Sequence, residues 1–260
     1  MNIVVLVKQV PDTWSERRLT DSDHTLDRGA ADAVLDEINE RAVEEALKLK
    51  DAGDGEVTVV CMGPERATDA IRKTLSMGAD KAVHLSDEAL HGSCAVQTAR
   101  ALATVIGTLG EVDLVLAGNE ATDGTVGAVP AMVAEALRMP DLTHARTVTV
   151  EGSTVTIERE TDDAITTLQA TLPAVVSVNE KINEPRYPSF KGIMAAKKKP
   201  VTTMTIADAG IDAGQVGLAS ATSTVTASRP RPPREAGQVV TDEGDGGVKL
   251  VEYLAGLKLI

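Results

Sequence analysis

Residues 118 to 130 read Gly-Asn-Glu-Ala-Thr-Asp-Gly-Thr-Val-Gly-Ala-Val-Pro, a composition suited to holding an anion rather than to breaking a bond. Gly124 and Gly127 permit a ligand to approach the backbone closely. The N–H groups around Val126–Val129 would open a helix and point outward, with the positive end of its dipole behind them. Pro130 fits the first helical turn, where its missing N–H costs little. Together these features describe a phosphate cradle. An ordinary strand-to-helix turn accounts for the same glycines, and the local residues leave both readings open.

A second constellation runs from Asn183 to Lys199. It carries Tyr187 and Phe190 in a chain with only one Trp, two Tyr and one Phe. An apolar side chain in a polar, proline-bounded segment suits an interface anchor. The residues alone favour a plainer role, with Phe190 and Ile193 pinning the loop to the core. Lys197–Lys199 reads as a solvated helix end, where the dipole favours cations. Trp14, in the loop after the first strand, could border a ligand or pack beneath the loop.

Other chemistry is disfavoured. Lys8-Gln-Val-Pro11 stands where a dinucleotide fingerprint G-x-G-x-x-G would follow the first strand, and no P-loop or nucleophile elbow occurs. His24, His84, His91 and His144 are scattered, so no metal site is expected. Cys61 and Cys94 are the only cysteines, which fits a reducing cytoplasm rather than a disulfide framework. A formal net charge of -13 disfavours nucleic acid or an anionic membrane as partner. The opening MNIVVLVKQVPD is expected to enter a strand directly rather than serve as a signal peptide, and no apolar run is long enough to span a bilayer.

The elements that must position these groups alternate. Asn2–Val7, 57–62, 82–85 and 112–117 read as buried strands. Helices are expected over about 33–50, 65–77, from a Ser93 cap to about 106, and from about 129 to 137. This is the pattern of an α/β fold, a Rossmann-like parallel sheet with helices on both faces. From Thr147 a hairpin around Glu151-Gly152 and strands at 165–168 and 174–178 follow. Residues 1–200 then form one domain that includes the loop 183–199. Residues 201–260 form an extended C-terminal arm with a short helix near 247–257, too poor in core residues to fold alone.

Several stretches in order along nearly the whole chain resemble the electron transfer flavoprotein β-subunit family. They are Val4-Val-Leu-Val-Lys8 with Val10-Pro-Asp12, Asn39-Glu-Arg-Ala-Val-Glu-Glu-Ala46, Gly63-Pro64, Ala70-Ile-Arg72, Met77-Gly-Ala-Asp80, and Asp113-Leu-Val-Leu-Ala-Gly118 with Asp123. Ile157-Glu-Arg-Glu160, Leu172-Pro-Ala-Val-Val176, Asn183-Glu-Pro-Arg186, Ile193-Met194 and Lys197–Lys199 continue the series. The resemblance implies an adenine-nucleotide-α-hydrolase-like layer paired with an α subunit that holds most of the redox FAD. It implies a non-enzymatic carrier, taking electrons from dehydrogenases such as acyl-CoA dehydrogenases to a membrane quinone oxidoreductase or another acceptor.

By the same resemblance this chain holds its own AMP, or a second FAD as in electron-bifurcating relatives. The positions matching the nucleotide motif are Leu6, Asp36, Glu37, Ile38, Asn39, Met62, Gly118, Asn119, Glu120, Ala121, Thr122, Asp123, Gly124, Thr125, Val126, Gly127, Ala128 and Val129. Thr13 and Glu160 match positions near the flavin, and Thr13 replaces a tyrosine found in some relatives. Arg186, Tyr187, Phe190, Ile193 and Met194 fall in the segment that docks on the dehydrogenase, which reverses the plainer reading of Phe190. After Asp123 many relatives carry polar side chains where this chain has Gly124-Thr-Val-Gly-Ala-Val129, so backbone amides must carry more of the phosphate. A free universal-stress-type nucleotide-binding protein is the rival, weakened by the absence of its G-x-x-G-x9-G-[ST] loop.

Overall fold

The computed structural model describes residues 1–234, 237 and 239–260. In chain order the elements are β1 (Asn2–Val7), β2 (Gln9–Pro11), β3 (Ala33–Leu35), α1 (Glu37–Asp51), β4 (Glu56–Met62) and α2 (Thr68–Met77). Then come β5 (Lys81–Leu85), α3 (Ala95–Gly107), β6 (Leu114–Gly118), α4 (Val129–Leu137) and β7 (Asp141–Glu151). The series ends with β8 (Thr154–Glu160), β9 (Ile165–Thr171), β10 (Ala174–Val178), α5 (Phe190–Ala196), β11 (Val201–Met204) and α6 (Gly246–Gly256).

One sheet runs in the order β11-β5-β4-β1-β6-β10-β7-β8-β9. Every neighbouring pair from β11 to β7 is parallel, and the β7–β8–β9 meander is antiparallel. Gly152, at φ +59°, turns the β7–β8 hairpin. A strand between two helical layers needs apolar side chains on both faces, and β1 supplies them alternately. Ile3, Val5 and Val7 enter one core with Ala42, Val43, Ala46 and Leu47 of α1 and Ile71 and Leu75 of α2. Val4 and Leu6 enter the other with Leu102 and Ile106 of α3 and Val133 of α4. Each fully buried Val, Leu or Ile contributes about 1.5–3 kcal/mol. The expected α/β class with a mostly parallel sheet and helices on both faces is what the chain adopts.

Three local expectations change. Ala33–Leu35 is not the first turn of a helix but a strand paired with β2. The helix begins after Asp36, whose carboxylate accepts from the backbone N–H of Ile38 and Asn39 as an N-cap. Leu35 carried the helical spacing through that cap. Cys94, not Ser93, occupies the cap of α3, because Ser93 Oγ instead accepts from Gly217 N at 2.9 Å. Lys199 is not a solvated helix end. Its Nζ donates to Leu75 O at 3.0 Å and Ala79 O at 2.5 Å, and burial lowers its pKa.

The compact α/β unit extends over Met1–Thr226, and Ala227–Ile260 form a second unit. The division falls later than residue 200 because Val201–Met204 add a parallel strand to β5, and Ile206, Ala209 and Val216 are buried in a core. In the second unit α6 buries none of its residues, and Val248, Leu250, Val251 and Tyr253 are exposed. Glu235, Ala236 and Gln238 of the expected arm lie outside the described residues.

Candidate functional site

Strand order reverses between β1 and β6, the place where open α/β sheets leave a crevice at the carboxyl ends of their strands. The chain after β1 and the chain after β6 part there, and a cleft of 1280 Å³ opens between them. Gly118 closes the floor, since a Cβ there would stand 2.7 Å from Asn39 Nδ2 and 2.9 Å from Ile38 Cγ2. Asn39 Oδ1 in turn accepts from Lys8 N at 2.7 Å, which fixes the end of β1 against α1.

Asp36 ties the β6 loop to the same helix. One oxygen caps α1, and the other accepts from Thr122 N at 2.7 Å and Thr122 Oγ1 at 2.8 Å. Beyond Thr122 the N–H groups of Gly124 and Thr125 both turn back to Ala121 O. Thr125 and Gly127 take left-handed backbone, at φ +46° and +66°. The next N–H groups, those of Val126, Gly127 and Ala128, have no acceptor among the described residues, and α4 has no side-chain cap. These donors sit at the positive end of α4, an arrangement that accommodates an anion.

Asp123 lies beneath this loop with its side chain only 1% exposed. Its Oδ1 accepts from Lys8 Nζ at 2.7 Å, and Arg28 NH1 stands 3.6 Å from Oδ2. Asp123 Oδ2 and Asn119 Oδ1 are buried and accept no hydrogen bond among the described residues. The orphaned Asn119 oxygen and the unpaired amides around a glycine-floored cleft fit a ligand with an anionic group and hydrogen-bonding edges, as a nucleotide has.

The positions expected for the nucleotide divide into liners and supports. Leu6, Asn39, Met62, Gly118, Asn119, Glu120, Ala121, Gly124, Thr125, Val126, Gly127 and Val129 line the cleft. Asp36, Ile38, Thr122 and Asp123 stand behind the wall, while Ala128 caps α4 and Glu37 is exposed. The sequence reading missed the facing wall. It includes Lys8, Thr20, Asp23–Arg28, Arg66, His91–Cys94 and Ser223–Val225. Lys8 directly follows β1, which was a usable signal; the 20–28 loop has no periodicity to announce it.

Glu160 lies elsewhere, in a smaller cavity of 380 Å³ shared with Asn119, His144, Arg159, Asn179 and Lys181. Arg146 holds its carboxylate at 3.1 Å and Lys181 at 3.6 Å. Asn119 lines both cavities. Thr13 is exposed, donating to Glu37 Oε1 at 3.4 Å. Trp14 is 95% exposed, so it is not packed beneath its loop.

Loop 183–199 is clamped to the body. Arg186 turns inward and grips buried Glu44 through Nε at 2.8 Å and Nη2 at 3.1 Å. Asn183 Nδ2 donates to Glu45 Oε2 at 2.9 Å and Arg41 O at 3.0 Å. Ser189 caps α5, and Gly192 lies so near α2 that a Cβ would meet Ser76 O at 2.5 Å. Thus anchored, the segment displays Tyr187, Phe190, Ile193 and Met194 to the outside, with Phe190 80% exposed. Among the described residues, no group of three or more His, Cys, Asp or Glu could hold a metal ion, and no helix is long and apolar enough to cross a membrane.

Residues 23–209 match the model of the electron transfer flavoprotein domain family. The chain is 65% identical to the electron transfer flavoprotein subunit beta of Mycobacterium tuberculosis strain H37Rv, covering 100% of this chain and 99% of that protein. It is 35% identical to the subunit of the same name in Megasphaera elsdenii, over 98% of this chain and 96% of that one. A caffeyl-CoA reductase–Etf complex subunit of Acetobacterium woodii is also 35% identical, over 93% of this chain and 92% of that protein.

Proposed function

This chain belongs to the electron transfer flavoprotein family as a β subunit, and from that premise we propose that it is the nucleotide-holding, dehydrogenase-docking half of a heterodimer with an α subunit. FAD, held mostly by the α subunit, supplies the redox chemistry when bound. The chain itself contributes orientation, polarity and docking, with no catalytic nucleophile or base. Electrons pass from primary dehydrogenases, acyl-CoA dehydrogenases among them, to a membrane quinone oxidoreductase or another acceptor. Two free cysteines agree with a cytoplasmic setting.

The observation that carries this reading is the cleft at the β1–β6 switch point, with acceptorless amides at Val126, Gly127 and Ala128 in a chain of this family. AMP suits it. Its phosphate would lie on those amides, and Asn39, Asn119 and Met62 would surround the rest. Thr13 and Glu160 would face the flavin, with Glu160 held in place by Arg146 and Lys181. Tyr187, Phe190, Ile193 and Met194 would enter the dehydrogenase surface, while Arg186 supports them from behind.

A second reading places another FAD in this chain. Its support is the cleft's size, 1280 Å³, above the roughly 300–1,000 Å³ of common small-ligand pockets. Production with and without an α subunit separates the two. The AMP reading expects a colourless isolated chain, one flavin per heterodimer, and AMP in the heat-released extract by mass spectrometry. A yellow isolated chain releasing FAD would overturn it in favour of the second reading.

A further inference from the structure

We propose that Arg28 reads the phosphate of the ligand, closing on a phosphomonoester at the Val126–Ala128 amides and so separating nucleotides from nucleosides. The proposal rests on the nucleotide reading of the cleft given above.

Lys8, Arg28 and Asp123 form a three-charge group with one positive charge left over. Lys8 is committed, since its Nζ lies 2.7 Å from Asp123 Oδ1. Arg28 is not. Its NH1 stands 3.6 Å from Asp123 Oδ2, beyond hydrogen-bond distance, and that oxygen accepts no hydrogen bond although it is buried. The carboxylate therefore draws the guanidinium toward the loop without saturating it. NH1 donates only a long bond, 3.2 Å, to Gln9 O. Most of the fork remains available for an oxyanion, and a guanidinium matches a phosphate face with paired N–H donors.

Arg28 lines the same cleft as Gly124, Thr125, Val126 and Gly127, and Asp123 immediately precedes that run. Its backbone is braced, because Arg66 donates to Arg28 O. The amides also need help. Glu120 Oε2 would lie 3.8 Å from a Cβ on Gly127, so a carboxylate shares the space with the donors. A carboxylate beside those donors repels a phosphate unless a cation offsets it. Arg28 is a cation lining that cleft whose hydrogen bonds are not committed to Asp123.

The test uses the full chain, freed of small molecules by exhaustive dialysis, and titrates AMP and adenosine by calorimetry. Arg28→Gln should lower AMP affinity about tenfold or more and leave adenosine affinity within about twofold, because only the phosphate contact is lost. Arg28→Lys, which keeps the charge but not the fork, should fall between. Adding salt should weaken AMP binding more in the wild type than in Arg28→Gln. Equal losses for both ligands would make Arg28 a structural residue, and unchanged AMP affinity would overturn the proposal while leaving the nucleotide site standing. A wild-type chain that binds neither ligand would overturn the nucleotide reading, and this role with it.

Discussion

Cys94 opens α3 in the wall of the cleft, with its Sγ 3.3 Å from Thr222 Oγ1. Burial pushes its thiol up, but hydrogen bonds from the Thr222 side chain and from the backbone of Gln97, Thr222 and Val96 outweigh it and bring the pKa to about 7. Burial pushes Cys61 up to about 12. Because the thiolate is the reactive form, alkylation of Cys94 by iodoacetamide should climb through pH 7 and level off soon above it. Cys61 should stay unmodified in the folded chain. Peptide mapping across pH checks this, and a Cys94 profile still rising at the ~8.5 of an ordinary thiol would contradict it. Gly127 makes a different demand. A side chain there meets nothing closer than Glu120 Oε2 at 3.8 Å, but the backbone sits at φ +66°. Gly127→Val should therefore strain the loop by about 1–2 kcal/mol and reduce AMP retention, whereas Gly124→Ala, with open space and ordinary φ, should not. Mass spectrometry of heat-released ligand distinguishes the two variants. The glycines were legible in the sequence because their conformational role is local. Asp36 and Asp123 were legible only as members of a motif, since spacing does not tell a residue that touches a ligand from one that braces the loop behind it.

Helix α5 is short, and its position depends on α2 and α1 rather than on its own stability. Arg72 NH1 donates to Ala196 O at 2.8 Å and Lys199 O at 3.0 Å, completing a clasp with Lys199 and the Arg186–Glu44 pair. The clasp carries the load, so the displayed side chains are free for other work. Phe190→Ala should leave the melting temperature within about a degree, as expected of an exposed position. It should weaken dehydrogenase docking by roughly 2 kcal/mol and lower the efficiency of electron transfer more than tenfold. Stopped-flow reduction by the partner dehydrogenase together with thermal melting decides the matter; a large melting loss with unchanged transfer would withdraw the docking role. The segment's polar character was plain from its residues, but its inward-facing Arg186 was not, because the partner, Glu44, lies far away in sequence on α1. The start of α1 was misplaced for the opposite reason. Leu35 extends the helical spacing smoothly, and only the geometry of the Asp36 cap reveals the break.

At the scale of the whole chain, both hydrophobic cores draw their buried members among the described residues from positions up to Val216. A chain ending at Thr226 should thus fold with a melting transition close to that of the full chain. If the exposed apolar side chains of α6 serve the α subunit, the same truncation should weaken heterodimer formation; circular dichroism and analytical ultracentrifugation measure the two effects separately. The alternation of strands and helices made the α/β class legible, yet the role of Val201–Met204 was hidden, since a short edge strand is indistinguishable by composition from an extended tail. The other edge has a consequence for how the protein must be made. Strand β9 closes the sheet with an outer row of N–H and C=O groups that no strand among the described residues pairs, and most of its side chains are exposed. Such an edge is a template for a neighbouring copy's strand. Asp162 and Asp163 stand just before it as like charges that discourage that addition. If the companion subunit covers this edge and α6, a cell producing the present subunit in excess would accumulate association-prone chains, and balanced synthesis of the two would protect solubility as well as activity.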